Sequence, residues 1–388
     1  MAEVPLNVSN TIPEKGGKTM YKLLGAASLL LPNIALSKMN MTEGVTPTSQ
    51  MMFDIHSTIL LIVSIACVVV FSVMFYGTFK FRKSKGAKAA TFHENTTVEV
   101  IWTAIPAIVL IIMAVPATKA LLEIEDTSNP DMTIQATGFQ WKWKYDYIDE
   151  GISFFSNLDS EHNKARQLNS GIDPASMDNY LLEVDQPLVV PINKKIRILT
   201  TANDVLHAWW VPELGIKRDA IPGFINESWM RVEKEGIYRG QCAELCGKDH
   251  GFMPIVVIAK NEKDYQQWVA EQKQAKIDQM ASAKETWTKD KLMAKGEQAY
   301  NTSCSGCHQP TGTGLPGVFP SLVGTPLIKG PVAEHITIVL NGKSGTAMQA
   351  FGAQLDDATL AAIITYERNA WGNDTGDVVQ PSDVKALR

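Results

Sequence analysis

From Ile55 to Phe79 no side chain carries a full charge at neutral pH, the ionisable His56 at its start apart. The run includes LLIVSIACVVVFSVMF and has no polar face. A bilayer core takes about 20 apolar residues as a helix, so this segment predicts a membrane span. A second run, Val100 to Ala117 (VIWTAIPAIVLIIMAVPA), is just long enough to be its partner. Membrane helices tolerate the prolines at 106 and 116. The loop between the runs holds Lys80, Arg82, Lys83, Lys85 and Lys88 against a single Glu94. Positive loops stay in the cytoplasm, which predicts both termini, and all of Lys119–Arg388, on the outer side. Upstream, Met20 to Leu31 reads as a short signal peptide with a cleavage region at Ala35-Leu36-Ser37, and this predicts translation from Met20.

The remainder is ordinary globular sequence. With 388 residues, 45% apolar and 20% charged, two or three domains are expected, and a mainly disordered or collagen-like chain is excluded. A net charge of −5 argues against nucleic acid as a partner. A mean hydropathy of −0.05 is too low for a polytopic transporter.

Beyond the second apolar run the period changes from helical to alternating. Trp141, Trp143, Tyr145 and Tyr147 alternate with Lys142, Lys144 and Asp146, a strand with one aromatic face. Further strands are expected at Leu188–Ile192, Lys195–Thr201, Ser228–Glu233 and Pro254–Ala259. Turn signals separate them, and the pattern predicts a β-sandwich or Greek-key barrel. Its chemistry lies in GQCAELCGKDHGFM (240–253), where Cys242 and Cys246 are followed by His250 and Met253. His207 lies upstream in DVLHAWWVP (204–212). Thiolate, imidazole and thioether together suit copper. Two thiolates can bridge two copper ions with one histidine on each, and an electron shared across both metals changes the geometry little. The competing readings are a disulfide, in an oxidising compartment, and a tetrahedral zinc site. Thioether is a ligand zinc does not need.

These segments resemble subunit II of haem–copper cytochrome c oxidases. The resemblance runs from Ile55 to Ala270 and rests on GFQWKWKYDY (138–147), VLHAWWVPELGIKRDAIPG (205–223) and GQCAELCGKDHGFMP (240–254). It implies a dinuclear copper A centre held by His207, Cys242, Cys246, His250 and Met253, with Glu244 offering its carbonyl. The Glu244 carboxylate resembles the family's ligand to magnesium or manganese at the subunit I contact, and such hard cations take oxygen. Trp141 matches the tryptophan where electrons enter, and Glu99 the glutamate at the mouth of a proton path. Where the family often has His-Gln-Trp-Tyr-Trp, this chain has Phe139-Gln-Trp-Lys-Trp, so the usual docking surface for soluble cytochrome c is altered.

Further on, Cys304-Ser-Gly-Cys307-His308 is the attachment motif of c-type haem, with His308 as proximal ligand. The second axial ligand is expected downstream, at Met348 in a loop or at His335 in a helix. A Met/His pair raises the potential, and Met348 is preferred because a lone helical histidine is more often structural. Glu285–Gly372 resembles a class I cytochrome c domain, and the fused arrangement resembles the caa3 type. The remaining histidines, His56, His93 and His162, carry no motif.

The expected architecture is a multidomain membrane protein: an N-terminal segment (1–54), a transmembrane helical hairpin (55–118), an all-β cupredoxin-like Greek-key copper A domain (119–270), a linker (271–290) and an all-α cytochrome c domain (291–388). The resemblance implies an electron-entry subunit of a cytochrome c oxidase in a bacterial inner membrane, its redox domains on the periplasmic side. It also implies subunit I with haem a and copper B, subunit III, and cytochrome c or a similar donor as partners. The rival readings are the copper A subunit of a nitric oxide reductase and a self-standing membrane-anchored electron carrier.

Overall fold

The structure, a computed structural model, describes residues 40–167, 170–282 and 285–388. The expected signal segment lies outside the described residues. All elements named below belong to one compact unit, Glu43–Arg388.

Helices α1 (Pro47–Lys80) and α2 (Thr96–Ile124) form an antiparallel hairpin with large apolar side chains exposed along both. They are 34 and 29 residues long, roughly 51 and 44 Å at 1.5 Å per residue, against a hydrocarbon core of about 30 Å. Both therefore extend beyond the apolar runs read from the sequence. The extra turns are capped, and they are pinned to the β domain. Thr46 and Ser49 form a capping box at the start of α1, and the Thr46 hydroxyl also donates to the Leu214 carbonyl at 3.0 Å. Val45 donates its N–H to Glu213 and accepts from Glu233 through its carbonyl. At the end of α2 the Trp229 indole donates to the Glu123 carbonyl at 3.0 Å, and Arg218 pairs with Glu125 at 2.9 Å.

The β domain is a sandwich of two five-stranded sheets. Its strands are β1 (Met132–Phe139), β2 (Lys142–Tyr147), β3 (Ile152–Ser156), β4 (Leu188–Pro191), β5 (Ile196–Ala202), β6 (His207–Val211), β7 (Ile216–Ala220), β8 (Asn226–Met230), β9 (Gly236–Cys242) and β10 (Pro254–Lys260). The sheet orders are β3-β2-β1-β5-β8 and β4-β10-β9-β6-β7, with β1–β5 and β4–β10 parallel. The aromatic face read on β2 holds for Trp143, Tyr145 and Tyr147, which are buried between the sheets with Trp209. Trp141, however, falls in the turn before the strand, and Lys142, expected on the polar face, is buried as well. The Tyr147 hydroxyl donates to the Val189 carbonyl and accepts from the Val189 N–H, which locks one sheet to the other at the core.

Helix α3 (Ser160–Ala165) lies in the loop between β3 and β4, and α4 (Glu262–Ser282) leaves β10. Most of the segment read as a connector is therefore helix. The last domain is all-α: α5 (Lys289–Ser303), α6 (Ser305–His308), α7 (Pro326–Lys329), α8 (Val332–Asn341), α9 (Asp357–Asn369) and α10 (Pro381–Leu387). Helices α5 and α9 cross at Gly296. A Cβ there would lie 2.1 Å from the Ala362 carbonyl oxygen and 2.7 Å from the Tyr366 Cβ. Gly296→Ala should force the two helices apart and cost about 1–3 kcal/mol. Calorimetry of the full chain should show the all-α transition lowered and the β-domain transition unmoved. An unchanged all-α transition would refute this account of the crossing.

Candidate metal centre and haem site

Strand β9 ends at Cys242, and the loop that follows folds back over the sheet edge before β10. This brings five of the predicted side chains together. The Cys242 and Cys246 sulfurs are 3.9 Å apart and both thiols are free. His207 Nδ1, from β6, lies 3.8 Å from the Cys242 sulfur. His250 Nδ1 lies 3.5 Å from the Cys246 sulfur, and the Met253 sulfur is 3.6 Å from it. The Glu244 carbonyl oxygen is 3.4 Å from the Cys242 sulfur. Two sulfurs, one imidazole against each, a thioether and a carbonyl form a donor set that fits a pair of soft metal ions. His207, Cys242 and Cys246 are buried, and their donor atoms lie within 4.8 Å of one another.

The tautomer of His207 follows from its neighbour. The Asp204 carboxylate, 2.9 Å from Nε2, can only accept, so Nε2 carries the proton and Nδ1 is left to ligate. Burial opposes charge on His207, but bonding to Asp204 and Cys242 outweighs it and raises the imidazole's pKa. The thiol pair gives up one proton easily and the other reluctantly. Bonding to Cys246, aided by His207, holds Cys242 far below the usual thiol range, while bonding to Cys242 and burial raise Cys246. Gly138 on β1 is required beside this cluster, since a Cβ there would come within 2.7 Å of the His207 ring.

The Trp141 indole donates to the Cys246 carbonyl at 3.1 Å, and the Gln140 amide donates to the same oxygen at 2.8 Å. Trp141 also lines a cavity of 540 Å³ between the β domain and the all-α domain. Cys304, Cys307, His308, His335 and Met348 line it too. His308 Nδ1 lies 3.0 Å from the Pro320 carbonyl, which only accepts, so Nε2 is free to bind iron. Two free cysteines, a histidine so prepared and a half-buried methionine fit a covalently attached haem. Burial raises the pKa of both Cys304 and Cys307. His335 is already bonded through Nε2 to the buried Glu367 carboxylate at 2.8 Å.

The two sites also meet directly. Lys248, between Cys246 and His250, donates to the carbonyl of Gly306, between Cys304 and Cys307, at 2.8 Å. Asn163 donates to the Asn301 carbonyl at 2.9 Å, and Gln349 donates to the Gln140 carbonyl. Among the described residues no ion pair crosses this interface; Arg166 and Asp249, beside Gly306, pair with each other inside the β domain. Asp204, Lys248, Gln140 and Gln349 were not among the residues singled out from the sequence. Asp204, Gln140 and Lys248 each lie inside a motif already noted, which was their only signal; Gln349 had none. Glu99 stands apart from both sites, at the far end of α2, where its carboxylate accepts from the Asn95 N–H at 3.2 Å and helps cap the helix.

The chain is similar to known proteins along most of its length. Residues 132–260 match the family model described as cytochrome c oxidase subunit II, periplasmic domain, and residues 35–120 match that family's transmembrane domain. Residues 291–366 match the model described as cytochrome c oxidase, cbb3-type, subunit III. A probable cytochrome c oxidase subunit 2 from Rickettsia bellii is 41% identical over 228 residues, 58% of this chain and 81% of that protein. Cytochrome c oxidase subunit 2 of Cyanidium caldarium is 39% identical over 228 residues, 58% of this chain and 86% of its own. Among solved structures, the periplasmic domain of subunit II of cytochrome oxidase from Bradyrhizobium japonicum is 41% identical. It covers 38% of this chain and 98% of that one, with a TM-score of 0.34.

Asp204 supplies a test of the metal centre. Asp204→Ala should free the His207 ring and weaken copper binding by about 10–100-fold, as loss of a partner behind a ligating histidine does. Copper titration against a competing chelator measures it; an unchanged affinity would show that Asp204 does not hold the ligand.

Proposed function

The chain belongs to the cytochrome c oxidase subunit II family, and from that premise we propose how its residues serve electron entry. It is the electron-entry subunit of a membrane oxidase, carrying a cytochrome c domain on its periplasmic part. The named relatives are oxidase subunits, which does not favour the nitric oxide reductase or free-standing carrier readings.

We propose His207, Cys242, Cys246, His250, Met253 and the Glu244 carbonyl as the copper A ligands. Cys304 and Cys307 attach the haem, and His308 and Met348 take its axial positions. Both His335 and Met348 line the cavity, and the Glu367 bond leaves His335 Nδ1 without a partner. We prefer Met348 because it sits in a loop that can bring its sulfur onto the iron, whereas His335 is fixed in a helix. When bound, the haem and the copper pair each supply one-electron chemistry; placement is the protein's part. The observation that carries the reading is Trp141, whose indole reaches the Cys246 carbonyl while its ring lines the haem cavity. It is an aromatic side chain that touches both sites, and we assign it electron entry to copper. The donor would then meet the haem domain, since the Trp141 surface is occupied by this chain's own domain.

The oxygen site lies in subunit I, with haem a and copper B, and subunit III completes the complex. The Glu244 carboxylate is a ligand for magnesium or manganese at the subunit I contact. Glu99, on the cytoplasmic side of a bacterial inner membrane, serves the entrance of the proton path.

Cys246→Ser should abolish the electron resonance pattern of an electron shared by two coppers, because one bridge is lost. Met253→Leu should keep the copper and shift its potential. A single-copper pattern in the unaltered protein would refute the dinuclear centre.

The interface predicts a second behaviour. Its cross-domain bonds are amide or ammonium to carbonyl, with no ion pair among the described residues. Haem-to-copper transfer should therefore be first order and independent of protein concentration, and only weakly dependent on salt. Flash reduction of the haem at several dilutions and salt concentrations measures this. A rate falling in proportion to dilution would mean that the domains work between molecules.

A further inference from the structure

The loop that carries Met348 is fastened from two directions. Inside its own domain the Met348 N–H donates to the Thr346 hydroxyl at 3.2 Å, and the Met348 carbonyl accepts from the Lys343 N–H at 3.0 Å. Gly342, at φ +70°, lets the loop pass close; a Cβ there would lie 2.6 Å from the Met348 oxygen. The other hold comes from the copper domain. Gln349, the next residue, donates to the Gln140 carbonyl, and Phe351 covers the Lys142 ammonium at 5.1 Å. Lys142 is 7% exposed and lines the haem cavity. Among the described residues it has no carboxylate partner, and its charge rests between the rings of Phe351 and Phe155. Phe155 and, from further off, the Asp204 and Asp185 carboxylates also favour this buried cation, but Phe351 is the ring the haem domain supplies, so the contact ties the loop to the lysine. Burial also pulls the Lys142 pKa down to about 8.

We propose that the copper domain is a positioning element of the haem site: through Gln140 and Lys142 the turn between β1 and β2 holds the 348–351 loop, so that docking of the domains and ligation by Met348 support each other. This rests on the reading of Met348 as the axial ligand. The coupling is reciprocal: a haem domain held away from the copper domain would grip its methionine sulfur more loosely, and its potential would fall.

The test uses the full-length, haem-loaded chain. The double variant Lys142→Met, Gln349→Ala removes the copper domain's hold and touches no proposed ligand. It should weaken the long-wavelength sulfur-to-iron absorption band and lower the haem midpoint potential. Added imidazole, which competes with the sulfur for ferric iron, should bind roughly five- to tenfold more tightly. Haem content and copper absorption should not change, and Lys142→Arg should retain wild-type behaviour. Met348→Ala sets the limit, with the band gone. If the unaltered protein lacks the band, or keeps it in Met348→Ala, the ligand reading itself is wrong. If Met348→Ala removes the band but the double variant leaves band and imidazole affinity unchanged, the ligand reading stands and the positioning role is overturned. A lower potential with unchanged imidazole affinity would report only the lost charge of Lys142 and would overturn it as well.

Discussion

The carbonyl oxygen of Cys246 accepts from the Trp141 indole and from the Gln140 amide, at 3.1 and 2.8 Å. A carbonyl with two lone pairs is saturated by two such donors. Its loop, with Cys246, His250 and Met253, is thereby stitched to the turn between β1 and β2. That turn is itself held by the core: Trp143, two residues on, is buried and donates to the Met253 carbonyl at 3.3 Å. The haem domain in turn leans on the same turn through Gln349 and Phe351. One short segment, 139–143, thus serves as a wall for both redox sites.

How much of this the sequence discloses depends on how local each feature is. Cys242, Cys246, His250 and Met253 occupy one loop, so their spacing is their geometry. His207 is 35 residues away, but the fold needs only one neighbouring strand pair to deliver it, since β6 pairs with β9 at Trp209 and Cys242. The aromatic face of β2 was legible because a strand's period is two. Strand β1, Met132–Phe139, was not among the expected strands although Met132, Ile134 and Ala136 alternate with Thr133, Gln135 and Thr137; its small and polar residues carry little apolar weight beside the aromatic run of β2. The domain interface left no periodic trace at all: amide-to-carbonyl contacts between Gln349 and Gln140, or Lys248 and Gly306, look like any surface polar residue until the chain has folded.

Helix α4 shows a different limit. Its first turns carry an apolar stripe at Tyr265, Trp268 and Val269, but beyond them the sequence is mostly polar and no such stripe continues. It is built from good helix formers, and it carries Gln266 on Glu262, Gln267 on Glu271 and Gln274 on Asp278, each one turn apart. Local side-chain pairs of this kind, with Tyr265, Val269 and Trp268 anchoring its first turns against the sandwich, stiffen a segment that composition alone marks as a linker.

The pinned hairpin has a consequence for the lipid around it. Thr46, Val45, Arg218 and Trp229 bind the outer ends of α1 and α2 to the sandwich rather than leaving them to water and headgroups. A span longer than the hydrocarbon core adapts to a thinner bilayer by tilting. With rigid collars at both outer ends, tilt cannot be absorbed by a hinge there; it is passed to the headpiece as a rotation. Bilayer thickness thereby becomes a mechanical input, and the attitude of the copper loop above the membrane plane is levelled by the lipid itself.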